Sequence, residues 1–261
     1  MYFFLRQLSV CDLLQSTNIA PVLLQAIIKD GVIIALGGCL IQFYIFICSE
    51  AFECLLLTVI SFDRYLAICN PLRYISIMNH RLCFILNLTS WLLSLISSVI
   101  TVTIMASLTF CDRNTINHFF CDFFPLLQLS CSDTFLVQMD LIVQSIPLVF
   151  FTFLFIVVSY VCIVHSVLKI VSSTGRQKAF STCSSHLAVV SMFYGTLIGI
   201  YVVPPRNQLL TLSKVLSLFY TVVIPLVNPV IYSLKSKDMK SALEKMLVRR
   251  PHMPINNKRE Y

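Results

Sequence analysis

The sequence predicts an all-α protein, a polytopic bundle of six membrane-spanning helices followed by a short amphipathic helix, and three observations carry that prediction. Hydrophobic residues make up 57% of the chain and charged ones 12%, about half the charged share of an ordinary soluble domain. Mean hydropathy is +0.85. Six apolar runs follow one another between short polar breaks, each within or somewhat beyond the ~17–25 residues of a spanning helix. The runs are continuously apolar, without the alternation of a lipid-facing strand, so helices are expected rather than a barrel. A length of 261 residues accommodates one membrane domain, expected over residues 1–250, with a polar, basic and disordered tail over 251–261.

In chain order the runs are Phe3–Ile28, Gly37–Phe62, Leu82–Leu108, Phe135–Leu168, Ala179–Val203 and Leu212–Leu234. Pro21, Pro147, Pro225 and Pro229 lie inside them as kinks that a packed membrane helix tolerates. The first run is long enough to span, and Met1 has no charged leader region or cleavage site behind it, so a signal peptide is not expected. Beyond Leu234 the chain turns basic, and Met239, Leu243, Met246 and Leu247 fall on one helical stripe. That pattern describes a short helix lying on the inner leaflet.

Basic residues set the orientation. With the start as written and the C-terminal tail in the cytoplasm, the inner segments hold fifteen of the nineteen Lys and Arg residues, leaving Lys29, Arg113, Arg206 and Lys214 outside. This is a strong positive-inside bias. The net charge of +7 thus reflects topology and attraction to anionic lipid heads. Nucleic-acid binding is not expected, since no soluble basic surface exists to carry it.

Cysteines and membrane-embedded acids are the residues with chemistry. Cys11, Cys48, Cys54, Cys69, Cys83, Cys162 and Cys183 lie in or just inside the spans and read as reduced packing residues. Cys39, Cys111, Cys121 and Cys131 all fall on the outer, oxidising side, where four cysteines allow three disulfide pairings. A zinc site using His118 with these thiols is a rival, weakened by the lack of a Cys-x-x-Cys pair. Asp12, Glu50 and Glu53 are buried-acid candidates. Glu50 and Glu53 share one helical face, and Asp12 lies at a comparable depth in the preceding span. A shared cation and a set of protonated, hydrogen-bonded carboxyls are both open. Asp140 reads as interfacial. Asn87-Leu88-Thr89 fits the glycosylation pattern by chance, inside a span where no transferase reaches. No phosphate loop, nucleophile elbow or metalloprotease helix is present, so the sequence offers no home for catalysis and the chain is not read as an enzyme.

Five regions in order resemble the odorant receptors of vertebrates, a branch of the rhodopsin-like G-protein-coupled receptors. They are Met1-Tyr2-Phe3-Phe4-Leu5 with Leu8-Ser9 and Asp12; Ser61 to Tyr74 around Asp63-Arg64-Tyr65; the outer loop from Cys111 to Thr134; Lys178 to Leu187 with Phe193-Tyr194-Gly195; and Pro225 to Leu234 around Asn228-Pro229-Val230-Ile231-Tyr232. The chain departs from the family at Ser61 and Phe62, where Ala and Tyr are commoner. Its start is similar to the opening of the family's second helix, so the outer tail and first helix of that fold are missing from the six spans. A fragment, a different true start and a real truncation all fit.

The resemblance implies a plasma-membrane receptor, in which an odorant binds within the bundle and a stimulatory G protein raises cyclic AMP. It implies disulfides Cys39 to Cys121 and Cys111 to Cys131, and it makes a sodium site at Asp12 and Glu53 an expectation. The coupling switch it implies comprises Asp63, Arg64, Tyr65, Tyr160, Lys178, His186, Tyr194, Asn228, Pro229 and Tyr232. Arg64 alone would also fit a snorkelling anchor, and Lys178 and His186 ordinary interface and bundle residues. The ligand pocket is expected among Phe46, Ile47, Glu50, Ala51, Gln144, Leu148, Leu197, Ile198 and Tyr201, with Glu50 selecting a hydrogen-bond donor or a positive group. Phe46 stands where aminergic receptors carry their amine-binding Asp, which disfavours a receptor of that kind. The alternatives are a truncated product that does not signal and a small-molecule transporter, against which the chain lacks paired inverted repeats.

Overall fold

The computed structural model describes residues 2–111, 115–201 and 210–235. The amphipathic stripe beyond Lys235 and the tail over 251–261 lie outside the described residues. Ten helices are described: α1 (Tyr2–Lys29), α2 (Leu36–Cys69), α3 (Pro71–Ile77), α4 (His80–Ala106), α5 (Phe123–Gln128), α6 (Phe135–Asp140), α7 (Ile146–Leu168), α8 (Ser173–Tyr201), α9 (Leu210–Leu218) and α10 (Ile224–Lys235). A π-helical turn, Leu141–Ser145, joins α6 to α7, and another, Phe219–Val223, joins α9 to α10. Six spans result, each long and apolar enough to cross a membrane.

Local chemistry sets the helix ends. Asp30 takes a left-handed φ of 53° and the Gly31 amide reaches back to the Ala26 carbonyl at 3.0 Å, which closes α1 in a Schellman-type turn. Helix α2 runs seven residues beyond the expected Phe62, to Cys69. It stops there because Asn70 precedes Pro71, which disfavours the helical region for its neighbour. Pro71 then opens α3 at a position where its missing N–H costs nothing. The Asn79 side chain accepts from the Leu82 amide at 2.8 Å and caps α4. Helix α8 likewise begins at Ser173 rather than Ala179, so the polar stretch ahead of the fifth apolar run is already helical.

Helix α2 is the hub of the bundle, its apolar window 56% buried while those of α1 and α4 are 22% buried. Helix α4 packs against it and carries a buried stripe of small residues, Ser90, Ser94 and Ser98, spaced four apart, while Thr101 turns to Asp140. Small residues on such a stripe let two membrane helices approach closely. Trp91 adds a stack on Phe52, ring centroids 4.0 Å apart. The apolar side chains facing away from the core, such as Leu93, Phe151 and Val161, are those a lipid environment would cover.

Overpacking the α2–α4 seam should cost stability. Ser94→Leu is expected to destabilise the protein by about 1–3 kcal/mol, whereas Leu93→Ile, on the exposed face of the same turn, should be neutral. Thermal unfolding of the purified protein in detergent, followed through the single tryptophan, checks both.

Candidate functional site

The outer loop is fastened over the end of α2. Disulfides join Cys39 to Cys121 and Cys111 to Cys131, with Cα atoms 5.5 and 6.0 Å apart, which is the pairing the resemblance implied. Their formation uses all the loop thiols considered for zinc, and no metal-holding group of three or more His, Cys, Asp or Glu occurs among the described residues. Gln42 reinforces the attachment. Its Oε1 accepts from the Cys121 amide at 3.0 Å, its Nε2 donates to the Asn18 carbonyl at 3.1 Å, and its own carbonyl accepts from Asn18 Nδ2 at 2.9 Å. One amide side chain thereby ties α1, α2 and the loop together. Lys214 donates to Asn117 Oδ1 at 2.7 Å and brings α9 to the same loop.

Beneath the loop lies an aromatic cluster. Phe46 contacts Phe120 edge-on at 5.2 Å and Tyr220 at 5.6 Å. His118 packs on Phe119 and Phe120, and burial together with the nearby Lys214 lowers its imidazole to about 4. Asp122 accepts from the Phe123 amide at 2.7 Å, and burial raises its carboxyl to about 6.

The residues expected to line the pocket divide between two packed regions. Phe46 and Ile47 belong to the outer cluster with Phe120 and Tyr220. Leu197 belongs to a deeper cluster around Tyr194 and Leu57. Ala51 and Leu148 are half-buried, Ile198 is 46% exposed, and the Tyr201 side chain lies outside the described residues. Gln144 is engaged elsewhere, donating to Asp140 one turn away. Asp140 accepts from Thr101 at 2.6 Å as well and is buried. Asp140 thus joins α4 to α6 and faces the inside of the bundle. Tyr220, Phe120, Gln42 and Gln15 were not singled out from sequence, although Gln15 lies one turn from Asp12 on the same face.

At mid-depth the three acids meet two amides. Asn228 of α10 donates to Asp12 at 3.0 Å and to Glu53 at 3.4 Å, while Gln15 donates to Glu50 at 2.6 Å. Four oxygens of this centre, Asp12 Oδ2, Gln15 Oε1, Glu50 Oε2 and Asn228 Oδ1, are shielded from solvent and have no partner. All four are acceptors.

At the inner end Arg64 pairs with the adjacent Asp63 at 2.5 Å, and both are buried. Tyr74 of α3 donates to the other carboxylate oxygen at 2.9 Å. Burial and that hydrogen bond push the Tyr74 phenol up to about 12. Tyr65 is half-buried beside them. Tyr160 of α7 and His186 of α8 are joined at 2.7 Å with their rings stacked. Tyr194 donates to Thr152 at 2.8 Å, a second tie between α8 and α7. Pro229 sits inside α10 next to Asn228. The structure thus places Asn228 with the acids and Tyr160 with His186; the side chains of Lys178 and Tyr232 lie outside the described residues.

A family model described as olfactory receptor matches residues 1–250. The human protein named olfactory receptor 11L1 is 44% identical over 250 residues, covering 96% of this chain and 78% of its own length. A mouse protein named olfactory receptor 5G25 is 48% identical over 243 residues, covering 93% and 76%. Among solved structures, squid rhodopsin superposes with a TM-score of 0.71 at 19% identity, covering 93% of this chain and 70% of its own, which shows a shared fold.

The Asp122 carboxyl gives a pH test of the outer seal. Its folded value of about 6 lies above its ordinary value of 3.8, so the folded state holds the proton more tightly. Its contribution to stability is complete below the ordinary value and is lost as pH rises through about 6. Relative to Asp122→Asn, the wild-type protein should gain on the order of 2–3 kcal/mol as pH falls through that window. Parallel unfolding curves of the two proteins from pH 7 to pH 4 measure it.

Proposed function

The chain belongs to the olfactory receptor family, and from that premise we propose that it binds a small, volatile odorant in the outer half of the bundle and signals through the olfactory stimulatory G protein, raising cyclic AMP. It is a multi-pass membrane protein and a receptor rather than an enzyme. The site of action proposed is the plasma membrane, with the tail and the start as written facing the cytoplasm, supported by the excess of basic residues in the inner segments.

The observation that carries the mechanism is the Arg64 pair. A guanidinium buried at the inner end of α2 and held by Asp63, itself fixed by Tyr74, is a two-state element. Paired, it stays within the bundle; when α7 and α8 move apart it is freed toward the cytoplasm for a G protein to engage. The Tyr160–His186 contact between those two helices belongs to the paired state. Ligand in the outer half of the bundle biases this equilibrium only through a difference in affinity for the two states.

A sodium ion between Asp12 and Glu53 forms part of the proposal. Asp12 Oδ2 and Asn228 Oδ1 are unfilled oxygen acceptors, the donor type a hard cation takes. Bound there, the ion would supply positive charge between the two carboxylates.

Expression at a cell surface with a cyclic AMP readout tests the reading. Arg64→Ala is expected to abolish the odorant response. Tyr74→Phe should raise signalling without odorant by about fivefold, the effect of one ~1 kcal/mol hydrogen bond on a two-state equilibrium. Surface-displayed protein that answers no odorant would favour a product that does not signal.

A further inference from the structure

We infer that the short loop between α1 and α2 is a lipid anchor: Val32, Ile33 and Ile34 insert into the membrane leaflet on the disulfide-closed side, with Lys29 and Asp30 at the level of its headgroups. That this leaflet is the outer one rests on the proposed orientation; the insertion itself does not.

Helix α1 sets the depth of the loop. Its two cations, Arg6 near the start and Lys29 at the last residue, stand 23 residues apart, about 35 Å along a helix that rises ~1.5 Å per residue. That length slightly exceeds the ~30 Å hydrocarbon core, so each cation reaches a headgroup layer while the residues between them lie in the lipid. The left-handed turn at Asp30 and Gly31 then ends the helix, and only residues 32–35 remain before α2 begins at Leu36. A connection that short, which must also turn back, cannot rise far above the headgroups.

The composition of the loop does not suit water. No residue from Gly31 to Ile41 has a hydroxyl, amide or charged side chain, whereas loops that face water are normally built of such groups. Ile33 is 101% exposed and so touches nothing else in the protein, while Val32 and Ile34 are each 36% exposed. Ile34 leans over the first turn of α2, its Cγ2 only 3.2 Å from where a Cβ on Gly38 would stand. Gly38 thereby makes room for Ile34, and Ile33 is left as the outermost side chain.

Single exposed apolar residues are ordinary on any protein surface, but this one continues an apolar surface on both sides. Leu24, Ile27 and Ile28 lie exposed along one face of α1, and Leu36 and Ile41 at the start of α2. Those helices face lipid, and the loop joins them without a polar break. The boundary between headgroups and acyl chains accepts such side chains and leaves a neighbouring charged pair among the headgroups. The Cys39 amide donates to the Ala35 carbonyl at 3.0 Å, so the anchored loop runs directly into the turn that carries the disulfide to Cys121. Lipid and disulfide thus hold the same end of α2.

The test is Ile33→Trp in the full chain, reconstituted in phosphatidylcholine nanodiscs, with the emission of the wild-type protein and its single tryptophan subtracted. Because Ile33 is fully exposed, the substitution disturbs no packing. The added tryptophan is expected to emit at shorter wavelength than one placed at Thr115, an exposed residue of the disulfide-closed loop. It should lose emission when the lipid is brominated near the glycerol end of its acyl chains and should resist quenching by iodide. Emission quenched by iodide and indifferent to brominated lipid would put the loop in water and overturn the inference. Short-wavelength emission that ignores brominated lipid and grows with the number of protein copies per disc would assign the patch to a second copy of the chain and overturn it as well. Both faces of a nanodisc meet the solvent, so a reversed orientation would leave the result unchanged.

Discussion

Asn228 joins three helices at one point. Its amide on α10 reaches Asp12 on α1 and Glu53 on α2, at a depth where a bilayer offers no water to any polar group. In such a medium polar side chains must satisfy one another or be costly. The spacing of these helices is therefore set by the reach of an asparagine as much as by apolar packing. Pro229 follows directly, and the backbone it frees from hydrogen bonding lies beside the residue that anchors the helix. The inner half of α10 can bend without releasing its tie to α1 and α2.

Helix α2 carries this constraint from one side of the membrane to the other. Its outer end is closed by Cys39 and Gln42 to the loop, its middle holds Glu50 and Glu53, and its inner end holds Asp63 and Arg64. A polar side chain thus recurs along its buried face wherever another element must be positioned. The neighbouring helices touch it with different chemistry, α4 with small hydroxyl residues and α1 with Cys11, Gln15 and Asn18. Close packing on the α4 side makes that seam rigid, while the acid-rich side is only partly satisfied and is the one suited to take an ion.

Much of this was legible in the sequence, for physical reasons that differ by residue. Long apolar runs located the six spans, and motif order along the chain carried the family and the two disulfides. Asp12, Glu50 and Glu53 stood out because acids are rare at that depth. The π turns at Leu141–Ser145 and Phe219–Val223 did not, since one extra residue in a helical turn barely changes an apolar pattern. The bond between Asp140 and Thr101 was not legible, because the two lie 39 residues apart on different helices and no local pattern announces such a bond. Gln144 was expected in the ligand pocket by the resemblance, yet its amide is engaged by Asp140. Gln15 escaped notice because an amide inside a span carries no charge to mark it, although its spacing from Asp12 placed it on the acid-bearing face.

The claim that Asn228 and the acids form one cooperative centre is tested most directly by a double-mutant cycle on thermal stability, with Asn228→Ala, Glu53→Ala and the pair together. A coupling energy of about 0.5–3 kcal/mol between the two sites is the predicted result. Effects that simply add would contradict the account and leave α10 held to α2 by apolar packing alone.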